Sequence, residues 1–167
     1  MKKRFISQMQ KKVALSAVGP SAIRGQRKGT IKKVHSFLRR VRLQTIPTQN
    51  SLLFGRWLDN QTGRMGVPWG VARKCINLFL RDVFYNRYLY REYKLQSLEQ
   101  LLEVPLDGVV GRYLVEEQRG NRLKSWQTLK RLKAKESRIF QEVASEIAER
   151  NGIARVHLDI FAWSDNR

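Results

Sequence analysis

The sequence predicts a mostly α-helical, compact single domain over residues 1–167, and three observations carry that expectation. Apolar residues recur at three- and four-residue spacing through most of the chain, which is the spacing of a one-sided helix. Glycine, proline and asparagine fall between those stretches and punctuate them. A chain of 167 residues is also long enough to bury a substantial core in one unit. No internal repeat, low-complexity tract or linker is evident in it.

The first fifty residues form a basic N-terminal region of helices. Met1-Lys2-Lys3-Arg4 followed by the apolar run 13–18 imitates a secretory leader, but Lys11 and Lys12 stand directly before that run, which is short and ends at Gly19-Pro20. The segment is therefore expected to be a basic surface helix of the folded protein. Gly19-Pro20 and residues 25–29 break the chain. Ile31, Val34, Phe37, Leu38 and Val41 then mark the packed stripe of a helix whose other face carries Lys32, Lys33, Arg39, Arg40 and Arg42.

Residues 51–91 read as two helices around a tight turn. Leu52, Leu53, Trp57 and Leu58 keep helical spacing behind Ser51, a candidate N-cap. After the turn 63–70, Ala72, Cys75, Ile76, Phe79 and Val83 lead toward Leu89 as the core face of one long helix over 71–91, with Arg73, Arg81, Asp82, Asn86 and Arg87 on its polar side. In residues 92–167, Ser97-Leu98-Glu99-Gln100 has the form of a capping box before Pro105, and Asp107 stands where an N-cap belongs. Ile139, Phe140, Val143, Ala144, Ile147 and Ala148 give an amphipathic helix closed by Arg150-Asn151-Gly152. The tail 156–163 alternates in part, which leaves a short strand, an extended segment or a helical turn open.

Charge points to the partner. Lys and Arg number 33 against 14 Asp and Glu, a formal net charge of +19 that attracts polyanions. Residues 1–58 hold 14 of those cations and no acid, so phosphates can be met there without regard to base sequence. DNA is the expected partner. A membrane is set aside because no run of about 18 apolar residues occurs and the basic segments lack a clean apolar face. Cys75 is the single cysteine and cannot form an internal disulfide, which fits a reducing cytoplasm. His35 and His157 lie far from it in sequence, so no metal cluster, Cys-His nucleophile or cofactor is called for. A monomer is expected.

Two motifs carry chemistry. The turn and helix Gly66-Val67-Pro68-Trp69-Gly70-Val71-Ala72-Arg73-Lys74-Cys75-Ile76 precede Pro105-Leu106-Asp107-Gly108-Val109-Val110. A Gly-containing hairpin between helices brings backbone N–H groups and a helix N-terminus toward a phosphate. A carboxylate at the head of a helix can stabilise positive charge that develops on a sugar. The same carboxylate also has a plain role, since Asp is a preferred N-cap contributing ~1 kcal/mol.

Together these motifs resemble the helix-hairpin-helix DNA glycosylases, most closely the 8-oxoguanine branch, over roughly residues 51–163. The resemblance implies a compact helical domain with a helix-hairpin-helix DNA-binding motif, in which the segment from residue 92 to the end supplies the catalytic Asp107. It implies cleavage of the N-glycosidic bond of a damaged or modified base in duplex DNA. An oxidised purine is suggested, with alkylated bases and modified phage cytosines left open. Where that branch carries its lysine nucleophile this chain has Gly70; Lys74, one turn further on, is the second catalytic candidate beside Asp107, and a monofunctional enzyme is favoured over a strand-nicking one. Pro68 also removes one hairpin N–H. Gly66, Val67, Trp69, Gly70, Arg73, Arg64, Arg24, Lys32, Lys33 and Arg39 are the expected DNA contacts. Trp69, Trp163 and Phe161 are the expected base pocket, with Trp126 a further aromatic candidate. Asp159 is a second carboxylate with a cap or ion-pair role as its plain alternative. The rival function is a non-catalytic nucleic-acid binder using the same basic face.

Overall fold

The computed structural model describes residues 1–164. They form eight α-helices and no strand: α1 (Lys2–Ser16), α2 (Thr30–Leu38), α3 (Ser51–Arg64), α4 (Trp69–Tyr85), α5 (Arg87–Glu92), α6 (Gly108–Glu117), α7 (Ala134–Arg150) and α8 (Leu158–Ser164). Short 3-10 turns stand at Pro20–Ile23, Leu43–Thr45, Gln96–Leu98 and Arg155–His157. Among the described residues no helix is long and apolar enough to cross a membrane.

The predicted periodicities explain the packing of α2, α4 and α7; in α3 the expected Leu52 and Leu53 face outward, and Phe54 joins Leu58 inside. Val34 and Leu38 of α2 and Phe54 and Leu58 of α3 are buried against α4, whose Ala72, Cys75, Ile76, Phe79, Leu80 and Val83 form the centre of one apolar cluster with α1 and α5. A second cluster joins Val110 and Leu114 of α6, Phe140, Val143, Ala144 and Ile147 of α7, and Leu158 and Ala162 of α8. Burial pushes the Cys75 thiol up to about 12, which keeps it a packed thiol.

Three boundaries differ from expectation, each for a local reason, and the tail takes the helical one of the alternatives left open for it. Asn50, rather than Ser51, caps α3, its side chain accepting the Leu53 N–H at 2.9 Å. The long helix expected over 71–91 breaks at Asn86, because the Asn86 side chain takes the N–H groups of Tyr88 (3.2 Å) and Leu89 (3.1 Å) and so starts α5. The capping box at Ser97 yields only a 3-10 turn. The tail is helical: Leu158, Asp159 and Ala162 are buried while Ile160 between them is exposed, a pattern that the two-residue alternation of a strand could not arrange. Asp107 does cap α6, and Gly152 ends α7 at φ +66°.

Candidate active site

The step into α6 is fixed by side-chain hydrogen bonds and one ion pair. Asp107 accepts the N–H groups of Val109 (2.9 Å) and Val110 (3.0 Å) through Oδ1. Oδ2 remains, and Lys74 Nζ lies 3.2 Å from it. Lys74, on α4, also donates to the Ala22 carbonyl at 3.0 Å, so the N-terminal region fixes the ammonium from the other side. Both side chains are largely buried, at 9% and 13% exposure. The two residues named as catalytic from the sequence thus meet, although 33 positions separate them.

They meet in the wall of a cavity of about 850 Å³. The segment 16–24 forms one side of it, α4 contributes Lys74 and Arg81, the head of α6 contributes Asp107 and Arg112, and α8 contributes Asp159 and Trp163. Arg24 and Arg112 are exposed at this site, and Trp163 is 54% exposed. Three arginines and a lysine therefore face two carboxylates, which leaves the cavity electropositive.

The chain leading to Asp107 is held by buried polar side chains. Glu103 receives Arg73 Nη2 and Nε, each at 2.8 Å, and the Asn77 amide at 3.0 Å. Burial alone would raise its pKa, but the hydrogen bonds and charge of Arg73, with Asn77, hold the carboxyl below the usual carboxylate range. The Gln141 side chain bonds both backbone groups of Val104, at 3.1 and 2.8 Å, and Arg155 takes the carbonyls of Leu101 and Leu102. A loop with few backbone partners of its own is thereby fixed from α4, α7 and the turn beside Ala154.

The expected DNA contacts divide. Gly66 and Val67 line a groove of about 670 Å³ with Arg27, Lys28, Lys33 and Lys130, and no acid lines it. Lys33 also ties its ammonium to the Gly66 carbonyl at 2.9 Å, and Gly66 has a φ of +71°, where glycine carries no Cβ penalty. Arg24 belongs to the cavity of Asp107 instead. Lys32 and Arg39 are exposed on and just after α2, and exposed Arg64 lines a further groove with Arg40, Arg42 and Trp57.

Three of the expected contacts turn inward. Arg73 is 8% exposed and bound to Glu103 and to Asp59 (2.8 Å), so its guanidinium serves the interior rather than a phosphate. Gly70 is buried against the chain at Leu129, where a Cβ would stand 2.2 Å from the Leu129 carbonyl oxygen. Trp69 lies under the Arg73 guanidinium, 5.4 Å from its ring, and lines a separate cavity with Glu103. Trp69 is thus not in the cavity of Asp107, and neither is Trp126, which packs on Gly111 and edge-on to Phe140. Phe161 is 47% exposed on α8 but outside the cavity lining, which leaves Trp163 as the expected base-pocket aromatic that reaches it.

His35 and His157 are both tied into the fold, His35 to the Val18 carbonyl and His157 between Tyr85 and Glu99. Glu103, Gln141, Arg81 and Arg112 escaped the sequence reading of the site. Only the i, i+4 placement of Arg73 and Asn77, both polar on an apolar helix, hinted at a shared buried partner. Comparisons of the chain with family models, curated proteins and solved structures find no match.

Proposed function

We propose that the chain is a DNA N-glycosylase that removes a damaged or modified base, with Asp107 as the carboxylate that stabilises positive charge on the deoxyribose as the glycosidic bond breaks. The observation that carries this reading is the Lys74–Asp107 pair in the wall of a roughly 850 Å³ cavity. That volume lies within the ~300–1,000 Å³ of small-molecule sites and suits a single extruded base with its sugar. In this reading α3, the turn 65–68 and α4 act as the helix-hairpin-helix element, and the acid-free groove at Gly66 grips the backbone while the nucleotide is flipped. A carboxylate in this role needs no metal.

Lys74 supplies a choice within the same chemistry. Gly70 in the lysine position of the resembling family favours water as the nucleophile, activated at Asp107. The placement of the Lys74 ammonium 3.2 Å from Asp107 favours a second route, in which Asp107 takes a proton from it and the freed amine attacks C1′ as the C1′–N bond breaks. The base leaves with that electron pair and receives the proton from Asp107, and the C1′–O4′ bond then opens to a protonated Schiff base as O4′ takes a proton from the lysine nitrogen. Borohydride separates the two: an adduct trapped with wild type and lost in Lys74→Ala assigns the amine, and absence of any adduct assigns water.

The primary test is base release. Wild type and Asp107→Asn are incubated with duplexes carrying oxidised, alkylated and phage-type modified bases, and freed bases are identified by mass spectrometry. Release by wild type alone, with DNA affinity retained in the variant, is the expected result. Silence across the panel, with tight salt-sensitive binding by both proteins, would replace the enzyme with a nucleic-acid binder acting through the basic grooves.

A further inference from the structure

The cavity of Lys74 and Asp107 has a second carboxylate in its wall that the proposed reaction does not use. Asp159, the second residue of α8, is 4% exposed. Arg81 Nη1 bonds its Oδ2. The same guanidinium also bonds Asp82, through Nε at 2.9 Å and Nη2 at 2.8 Å. Two carboxylates therefore share one cation at this corner.

Asp159 Oδ1 has no hydrogen-bond partner, although it is buried. Unsatisfied buried acceptors are uncommon and costly, and a cavity wall is where such an atom has a use. Burial raises the pKa of this carboxyl, and Arg81 opposes the rise only in part. One turn along α8, Trp163 lines the same cavity and is half exposed. An aromatic face and a hydrogen-bond acceptor side by side suit a flat heteroaromatic ring, the first by stacking and the second by reading its edge.

We infer that Asp159 determines base specificity: its carboxylate accepts a hydrogen bond from an exocyclic amine of the extruded base, while Trp163 stacks on the ring. The inference rests on the glycosylase reading and narrows its substrates to amino-bearing bases. A protruding amine suits a recessed oxygen better than a ring N–H does. Arg81 stays on Oδ2, held there also by Asp82, so Oδ1 is the acceptor left for the base.

Asp159→Asn tests this because it reverses the sense of the hydrogen bond. The Asn oxygen faces the Arg81 donor and its NH2 takes the place of Oδ1, a donor where an acceptor stood. Single-turnover release is measured for matched duplexes with and without the amine: guanine-type against hypoxanthine-type, adenine-type against purine-type, and cytosine-type against pyrimidinone-type bases. Wild type should favour the amino-bearing member, Asp159→Asn should slow it by about tenfold or more, and both proteins should release the analogue lacking the amine at equal rates. Equal losses on both members of a pair, or no loss on either, would overturn the role of Asp159 while leaving the glycosylase standing. No release by wild type from any duplex would remove both readings. Asp159→Ala, which leaves Arg81 with Asp82, carries the same comparison if the Asn variant does not fold.

Discussion

Replacing Gly70 by Ala separates a packing role from a DNA contact at the start of α4. The added Cβ would stand 2.2 Å from the Leu129 carbonyl oxygen and 2.9 Å from Leu132 Cβ, well inside the 3.4 Å of ordinary contact. The first of these neighbours is backbone and cannot rotate away, so the segment at Leu129 must move or α4 must tilt. Overpacking of this kind costs ~1–3 kcal/mol, with a backbone clash at the upper end. Alanine returns up to ~1 kcal/mol of helix propensity. The net loss is therefore about 2 kcal/mol, which for a domain of this size lowers the melting temperature by roughly 4–8 °C. Calorimetry or a far-UV thermal melt measures it. A melting temperature equal to wild type or higher would refute the packing argument. Weakened DNA binding with unchanged stability would return Gly70 to the phosphate contact that its place in the motif suggests.

Three further outcomes test the site and its supports. Asp107→Asn should abolish base release while DNA affinity is kept, as read by mass spectrometry and equilibrium binding. Glu103→Gln should flatten the acid limb of the stability curve: the carboxyl titrates below its unfolded value of about 4.3, so its contribution is full above that value and is lost as pH falls through the lower folded one, and urea unfolding at pH 3 to 6 should show the wild-type decline shrink in the variant. The double change Arg27→Ala and Lys28→Ala in the acid-free groove should reduce the slope of log K against log salt on unmodified duplex by about 2, and an unchanged slope would take that groove out of the interface.

One pair of neighbouring residues shows what tertiary structure adds. Arg73 and Lys74 are adjacent cations on α4, and both look like surface residues on a basic chain. Burial placed both inside, and their directions differ by the roughly 100° between successive helix positions. Arg73 meets Glu103 and Asp59, which fix the approach to Asp107, while Lys74 meets Asp107 itself. No spacing rule assigns Glu103 and Asp107 to them, because both arrive from a loop some thirty positions away in sequence.

Much else was settled by sequence alone. The net charge of +19 and the acid-free first 58 residues fix the electrostatic character of the surface whatever the fold. Helical spacing gave the buried faces of α2, α4 and α7, though not that of α3, where Leu52 and Leu53 are exposed and Phe54 is buried; local capping chemistry gave Asp107 and Gly152, since each depends on residues within one or two turns. What only tertiary structure decided is where separate segments touch. Gly70 packs on Leu129, Ala22 holds Lys74, α8 forms where the tail alternates, and Asp159 enters the cavity of Asp107. Each of those contacts joins parts of the chain whose local patterns carry no information about one another.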